Sequence, residues 1–319
     1  MTGAGERIAE LSFPTPDILR TRASYYRRDL VSQFASLQAT EANVLLRLLD
    51  EQLPLAATKD KRVAVFASAF EHAAKWRFEM AAIGRRAPDA ELEPFRTPIG
   101  RCTRYRLTPT AAEPGSPAFQ LLTTLEQVAL ERLTMAEEVP KGYKELQNIV
   151  DLRDGRTVNG NVLIFEPRLY GPAEVKVRTA VEADREVLRH AAFETLAELE
   201  AQRRRTGPLK PGDPEIRQAF SDAAYYVFQG PWMRRGNDAT VRPFLVAAYT
   251  SLFDRTPVLP QAIDLDAMVR GQDGFSEVMR QQLTMLPSHS VLENASLGHG
   301  ERPTHRGGPT TRRPGGVGR

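Results

Sequence analysis

The organisation of this chain follows from residues 225–238, which have the sequence YYVFQGPWMRRGND. Aromatic and aliphatic side chains fill the first half at helical spacing, and Gly230-Pro231 ends that helix. Two arginines and Gly236-Asn237 follow, and a second apolar helix begins within a few residues. The stretch predicts two buried helices joined by a short, positively charged loop.

Helical periodicity extends over most of the chain on both sides of this stretch. Prolines close two of the helices, at Pro54 and Pro140, and Asp213-Pro214 is typical of a helix start because aspartate caps and proline fits the first turn. The predicted helices are 16–37, 41–53, 60–84, 119–139, 182–205, 215–229, 240–253, a short one from 264, and 274–285.

Strands are predicted only within residues 146–177. A turn is expected at Asp154-Gly155, and Asn159-Gly160 lies between β-branched and aromatic runs, which is a strong hairpin signal. Residues 85–117 are rich in proline, arginine and threonine, so we expect an irregular segment with short extended pieces. The predicted fold is mainly α, with a small antiparallel β hairpin or flap.

Length and composition exclude several classes of protein. With 319 residues, 41% hydrophobic and 26% charged, the chain is typical of a globular protein with a substantial core. It has no apolar run of about 18–20 residues and no signal-peptide core, so we expect no membrane partner and a cytoplasmic location, or delivery into a host cell. The single cysteine, Cys102, excludes an internal disulfide, and no metal site is predicted.

The net charge of +3 is concentrated at one end of the chain. Residues 297–319 hold five arginines and one glutamate, which leaves the other 296 residues with a net charge of −1. This tail is rich in glycine, proline and arginine and offers few apolar side chains, so we expect it to be disordered. Nucleic acid is therefore not the expected partner, although a Gly/Arg-rich tail can bind it.

Motifs of common enzymes are absent from the sequence. It has no glycine-rich phosphate loop, no paired-histidine zinc helix and no nucleophile elbow. The loop at 230–237 is different, because glycine lets backbone amides approach a ligand, a helix start favours anions, and arginine can bind phosphate in a bidentate way. The loop suggests a diphosphate pocket, although an ordinary exposed interhelical loop has the same composition.

Five segments of the chain form an ordered pattern. They are Asn159-Gly160-Asn161-Val162 before a long helix, Trp232 to Asn237, the helix ending near Phe253, Asp264 to Met268, and Phe275. These segments resemble the C-terminal half of the AvrB avirulence-effector family, which similarly has a tryptophan-containing helix, an arginine-glycine loop, another helix, an Asp-Leu-x-Ala-Met segment and a downstream phenylalanine. The resemblance covers residues 145–285 and implies a Fido-like core, 145–290, with an N-terminal helical region, 1–144, packed on it.

The Fido fold is shared with Fic and Doc proteins, whose motif His-Pro-Phe-x-x-Gly-Asn-x-Arg contains a general-base histidine. Residues 230–237 resemble this motif, with Gly230 in place of histidine and one extra residue before Gly236. Because the imidazole is missing, Fic-like nucleotidyl transfer would lack its base. The AvrB resemblance instead implies a nucleotide-sugar-dependent transferase that rhamnosylates a protein threonine, with UDP- or dTDP-rhamnose as co-substrate and no tightly bound cofactor.

The resemblance also implies roles for individual residues. Arg235 is expected to bind the diphosphate, with backbone contacts from Gly236 and Asn237, and Arg203 is expected to contact the nucleotide. Asp264 corresponds to the family's essential aspartate and would act as a general base or orient the sugar. Considered without the resemblance, Asp264 equally suits the N-cap of a short helix, and Arg203 suits a solvated helix end.

Two further matters stay open. Pro243 favours a helix start near Thr240, which would move the anion-binding amides to Val241 and Arg242. The alternatives to a transferase that modifies a hydroxyl of a protein or small molecule are a catalytically silent nucleotide- or peptide-binding protein and a nucleic-acid adaptor. The adaptor would lose its salt-dependent binding on deletion of residues 297–319.

Overall fold

The computed structural model describes residues 8–14, 28–84, 92–107, 109, 112–135, 142–167 and 174–284. Over these residues the chain is mainly helical with one four-stranded antiparallel sheet, which confirms the predicted class. The helices are α1 (Arg28–Gln52), α2 (Lys59–Gly84), α3 (Glu93–Arg96), α4 (Pro117–Met135), α5 (Glu182–Thr206), α6 (Pro214–Gln229), α7 (Asn237–Phe253), α8 (Ile263–Val269) and α9 (Gly271–Thr284). The strands are β1 (Arg104–Leu107), β2 (Lys144–Asp151), β3 (Thr157–Glu166) and β4 (Glu174–Arg178).

Helix α7 lies at the centre of the larger core. Every residue from Ala239 to Phe253 is buried, as expected of a mostly apolar helix, and Arg242 is buried with them. Helices α1, α2, α5 and α6 pack around it. Phe70, Phe193 and Phe244 meet here with ring centroids 5.5 to 5.9 Å apart, so α2, α5 and α7 share one aromatic cluster.

The sheet forms a second, smaller core with α4 and α8. Its strand order is β1-β4-β3-β2, and every neighbouring pair is antiparallel. Leu163 and Val177 on the sheet, Leu125 on α4 and Met268 on α8 belong to one buried cluster. Strand β1 comes from the segment predicted to be irregular, so the predicted hairpin is part of a wider sheet.

The hairpin between β2 and β3 turns where Asp154-Gly155 predicted it. The N–H of Leu152 donates to the carbonyl of Arg156 at 2.8 Å. The hairpin predicted at Asn159-Gly160 is wrong, because both residues lie inside β3. Asn148 faces two residues of β3 instead of one, so Gly160 and its successor form a β-bulge.

Gly160 is required because another chain segment approaches its backbone. A Cβ atom at Gly160 would lie 2.5 Å from Oε1 of Gln229 and 3.0 Å from Cγ2 of Val150. We expect Gly160→Ala to lower the free energy of unfolding by about 1–3 kcal/mol, because Gln229 must leave the backbone N–H that it accepts from. Urea denaturation measures this loss. Gly142→Ala is the control, since its Cβ would meet no atom within 4 Å, and equal stability of both variants would contradict the prediction.

The predicted helices are largely confirmed within the described residues. Asp213 caps α6, accepting from the N–H groups of Glu215 and Ile216 at 3.0 and 3.3 Å. The separation of 16–37 from 41–53 is wrong, because α1 runs unbroken from residue 28 to 52 through Gln-Ala-Thr, which contains no helix breaker. The predicted first-helix residues before 28 and the tail at 297–319 lie outside the described residues. No described helix combines the length and apolarity needed to cross a membrane.

Candidate functional site

The loop between α6 and α7 is fixed by backbone hydrogen bonds to the segment that contains α3. Gly230 ends α6, donating to the carbonyl of Tyr226 at 2.8 Å, and its own carbonyl accepts from Arg189 at 3.2 Å. A Cβ at Gly230 would lie 2.7 Å from the carbonyl oxygen of Arg185, so this position has no room for a side chain. The bonds along the loop are Ile99 N–H to Trp232 O (2.8 Å), Arg234 N–H to Thr97 O (3.3 Å) and Arg235 N–H to Pro94 O (2.9 Å).

Helix α7 begins at Asn237, directly after Gly236. Gly236 has φ +83°, a left-handed conformation that glycine adopts without strain, and this turns the chain into the helix. The predicted start near Thr240 is therefore wrong, and Pro243 lies inside the helix. The first-turn amides belong to residues 237–239, where a helix leaves its N–H groups without intrahelical partners.

Two arginines stand beside this helix start. Arg234 and Arg235 are both exposed, and neither side chain is hydrogen-bonded or ion-paired in the chain as described. A third arginine, Arg77 of α2, packs next to the loop, since its Nε lies 3.0 Å from where a Cβ of Gly236 would be. The side chain of Arg77 stacks over the Phe95 ring, 4.6 Å from the ring centroid. Three arginines thus lie close to the start of α7, whose first turn also carries Asp238.

Asn237 uses its side chain within the protein. Its Nδ2 donates to the carbonyl of Met233 at 3.0 Å and to the hydroxyl of Tyr105 at 3.1 Å. The Tyr105 hydroxyl in turn donates to the carbonyl of Arg234 at 3.3 Å. Burial raises the pKa of Tyr105 to about 12, so the phenol stays protonated and acts as a neutral donor. Only the backbone of Asn237 remains in the role predicted for it.

Asp264 lies in the first turn of α8, beside the start of α7. It is not the N-cap, because Ala262 occupies that position. Burial, and next the charge of Asp238 on α7, raise the pKa of Asp264 to about 7, although the charge of Arg242 and an N–H from Leu265 oppose this. The residue keeps some exposure to solvent. A carboxyl group with this pKa can accept a proton near neutral pH.

Asp238 and Asp264 have different surroundings. Asp238 forms an ion pair with the fully buried Arg242, with Nη2 and Oδ1 3.0 Å apart. Arg242 also donates to the carbonyls of Pro260 and Gln261, at 2.8 and 3.1 Å, and so ties α7 to the segment before α8. One carboxylate is therefore paired while the other can exchange a proton, the usual arrangement for dividing acid–base roles.

The structure separates Arg203 from the other predicted site residues. Arg203 lies near the end of α5 and pairs with Glu200 at 3.6 Å. Arg189 of the same helix contacts the loop at Gly230. Arg203 is fourteen residues further along α5, which places it about 20 Å from Arg189 along the helix axis. Arg203 is therefore held in an ion pair with the buried Glu200 near the end of α5, away from the loop at 230–237.

The site therefore joins predicted and unpredicted residues. Arg235, Gly236 and Asn237 are contiguous, and packing brings Asp264, 27 residues further along the chain, within electrostatic range of Asp238, the residue that follows them. Sequence reasoning missed Asp238 and Tyr105. The alternation of Arg and apolar residues in Arg104-Tyr105-Arg106-Leu107 is a weak strand signal that could have indicated Tyr105.

This arrangement combines two chemical capacities. Open helix amides and exposed guanidinium groups bind anions, and a neighbouring carboxyl group accepts protons at neutral pH. No protein-family model matches the chain, and no curated protein is detectably similar to it in sequence.

Proposed function

We propose that the protein is a group transferase that binds a nucleoside diphosphate sugar at the start of α7 and transfers the sugar to a hydroxyl. The observation that carries this proposal is the position of Asp264 beside the first turn of α7, next to Asp238. Asp264 takes the proton of the acceptor hydroxyl while the oxygen of that hydroxyl forms a bond to the anomeric carbon of the sugar. The bond from that carbon to the diphosphate oxygen breaks, and the diphosphate leaves with the electron pair.

The leaving diphosphate gains negative charge as this bond breaks. The amides of residues 237–239, which the helix fixes in place before the reaction, would stabilise that charge, and the exposed guanidinium of Arg235 would join them when the diphosphate binds. The hydroxyl of Tyr105 donates its proton to the carbonyl of Arg234 and accepts from Asn237, so it would hold the loop in place rather than contact the diphosphate. The carboxylate of Asp238 opposes an anion here, but its ion pair with Arg242 offsets much of its charge.

The identity of donor and acceptor rests on the AvrB resemblance alone. It favours UDP- or dTDP-rhamnose as donor and a protein threonine, or a hydroxyl of a small molecule, as acceptor. Fic-like nucleotidyl transfer is disfavoured, because backbone and Arg189 atoms fill the space beside Gly230 where a histidine would stand.

Arg235 supplies the first test. We expect Arg235→Ala to weaken nucleotide binding about 10- to 100-fold, because a charge-assisted hydrogen bond to phosphate contributes about 1.5–3 kcal/mol. Calorimetry and thermal shift with ADP, UDP, dTDP and the corresponding rhamnose derivatives measure this. Arg205→Ala removes an equally exposed arginine at the far end of α5 and should bind as the wild type does.

The same titrations separate the candidate functions. Binding of a rhamnose derivative followed by release of the free diphosphate in the presence of acceptor supports the transferase. Binding without release under any acceptor would favour the catalytically silent nucleotide-binding protein. If no nucleotide binds the wild type, or if Arg235→Ala binds as tightly, the diphosphate site is refuted.

A further inference from the structure

Helix α8 carries Asp264 at one end and depends on other elements at its opposite end. It has only seven residues, too few for a stable helix in isolation. Helix α9 starts at Gly271, immediately afterwards, so the last carbonyls of α8 cannot be satisfied by continuing the helix. Their partners come from elsewhere in the fold.

Side chains from four elements cap the three final carbonyls of α8. We call Arg132 of α4, Asn148 of β2, Asn161 of β3 and Gln229 of α6 the capping network. Arg132 is half-buried, and the other three are at most 3% exposed. The capping bonds are Gln229 Nε2 to Ala267 O (2.7 Å), Asn161 Nδ2 to Met268 O (2.9 Å), Asn148 Nδ2 to Met268 O (3.3 Å) and Arg132 Nη1 to Val269 O (2.7 Å).

The members of the capping network also bind one another. The N–H of Asn161 donates to Oε1 of Gln229 at 2.8 Å, and Nδ2 of Asn148 donates to Oδ1 of Asn161 at 2.8 Å. Arg132 donates to Oδ1 of Asn148 at 2.7 Å. The β-bulge at Gly160 turns the Asn161 backbone toward Gln229, so the network is built into the irregularity of β3. Loss of one member leaves buried donors and acceptors of the others unsatisfied.

The opposite end of α8 lies in the candidate site. The pKa of Asp264 depends on the charges of Asp238 and Arg242 of α7 and of Asp266 on its own helix. Asp264 also lies within electrostatic range of Tyr105 of β1. Seven residues span about 10 Å, so a displacement at the capped end of so short a helix moves Asp264 as well.

We infer that the capping network, chiefly Asn161 and Gln229, positions Asp264 against the start of α7 without contacting a ligand. The inference rests on the proposed function only where it takes Asp264 to be the catalytic base. The position of the Asp264 carboxyl group does not depend on any substrate. Asn161 and Gln229 are thus positioning residues, and their effect is measurable on Asp264 itself.

The test is a carboxyl ¹³C NMR titration of the full chain, with the Asp264 resonance assigned by its loss in Asp264→Asn. We expect Gln229→Met and Asn161→Ala to lower the titration midpoint of Asp264 by about one pH unit or more, because the carboxyl gains water and moves away from Asp238. Asp213→Ala is the control. It removes the N-cap of α6, destabilises the protein and leaves the capping network intact, so the midpoint should not move.

A midpoint that is unchanged in both variants would overturn the inference, as would an equal fall in Asp213→Ala. If neither variant folds, Arg132→Gln decides. It removes the cap at Val269 and the bond to Asn148 from a half-buried position, and it should lower the midpoint less, in the same direction. Nucleotide titrations of the wild type report separately on the proposed function, so that failure there leaves this result standing.

Discussion

A protein carrying Asp264→Asn is expected to lose about 10²- to 10⁴-fold in transfer rate, because asparagine cannot take the acceptor's proton. The same variant is expected to be more stable than the wild type at pH 8. A buried carboxylate beside Asp238 costs folding free energy at this pH, and the amide removes that charge. Loss of activity with a gain of stability is typical of a functional group held in an unfavourable environment.

The direction of the pH dependence follows from the raised pKa. Burial and the charge of Asp238 raise the pKa of Asp264 to about 7 in the folded protein, from about 3.8 in the unfolded chain. Between these values the folded protein binds a proton that the unfolded chain does not, so the stability of the wild type falls as the pH rises through this window. We expect Asp264→Asn to gain about 1–3 kcal/mol at pH 8 and almost nothing below pH 4.

Urea denaturation at pH 4, 6 and 8, with transfer assays on the same samples, measures both effects. Asp151→Asn makes the same chemical change on an exposed carboxylate and should alter neither quantity. An Asp264→Asn protein that transfers at the wild-type rate would refute the base assignment. One that is destabilised at pH 8 would refute the electrostatic account of the site.

The largest expected loss of stability belongs to Arg242→Met. Arg242 is fully buried, and its removal leaves Asp238 without its ion-pair partner and Asp264 without a cation that lowers its pKa. We expect the free energy of unfolding at pH 8 to fall by about 3–5 kcal/mol, as for other broken buried ion pairs. Part of the loss should be recovered at pH 5, because protonation of Asp264, whose pKa is raised, removes its repulsion with Asp238.

The matched control for Arg242→Met is Arg96→Met. Arg96 also pairs with a carboxylate, Glu93, at 2.5 Å, but both side chains are more than half exposed. Its replacement should change the stability by less than about 1 kcal/mol. Similar losses in the two variants, or no recovery of Arg242→Met in acid, would contradict the role given to the buried guanidinium.

The sequence predicts those parts of the fold that local chemistry decides. Asp213-Pro214 gives the start of α6 because capping and proline act within one turn, and Asp154-Gly155 gives the turn of the hairpin for the same reason. The hairpin prediction at Asn159-Gly160 is wrong because Gly160 is needed for a different reason: Gln229, on a separate helix, packs against its backbone. A glycine required by a tertiary contact thus has the same sequence pattern as a glycine required by a turn.

The residues of the candidate site also fall into two groups, those that the local sequence indicates and those that only tertiary packing brings together. The loop at 234–237 can be found from composition, since glycine and arginine before an apolar helix have a direct physical meaning. The proximity of Asp238 to Asp264 depends on how α7 and α8 pack, and no spacing along the chain encodes it. Tyr105 was missed because β1 has only four residues and is stabilised by its pairing with β4.

Because α7 is buried, ligand binding at its first turn should change hydrogen exchange along the whole helix. Its first turn lies at the candidate site, while its remaining residues form the centre of the core. The amides of α7 should therefore exchange with solvent only when the domain unfolds, at rates that report global stability. A ligand bound at this end would slow hydrogen exchange along the entire helix, because it stabilises the folded state as a unit.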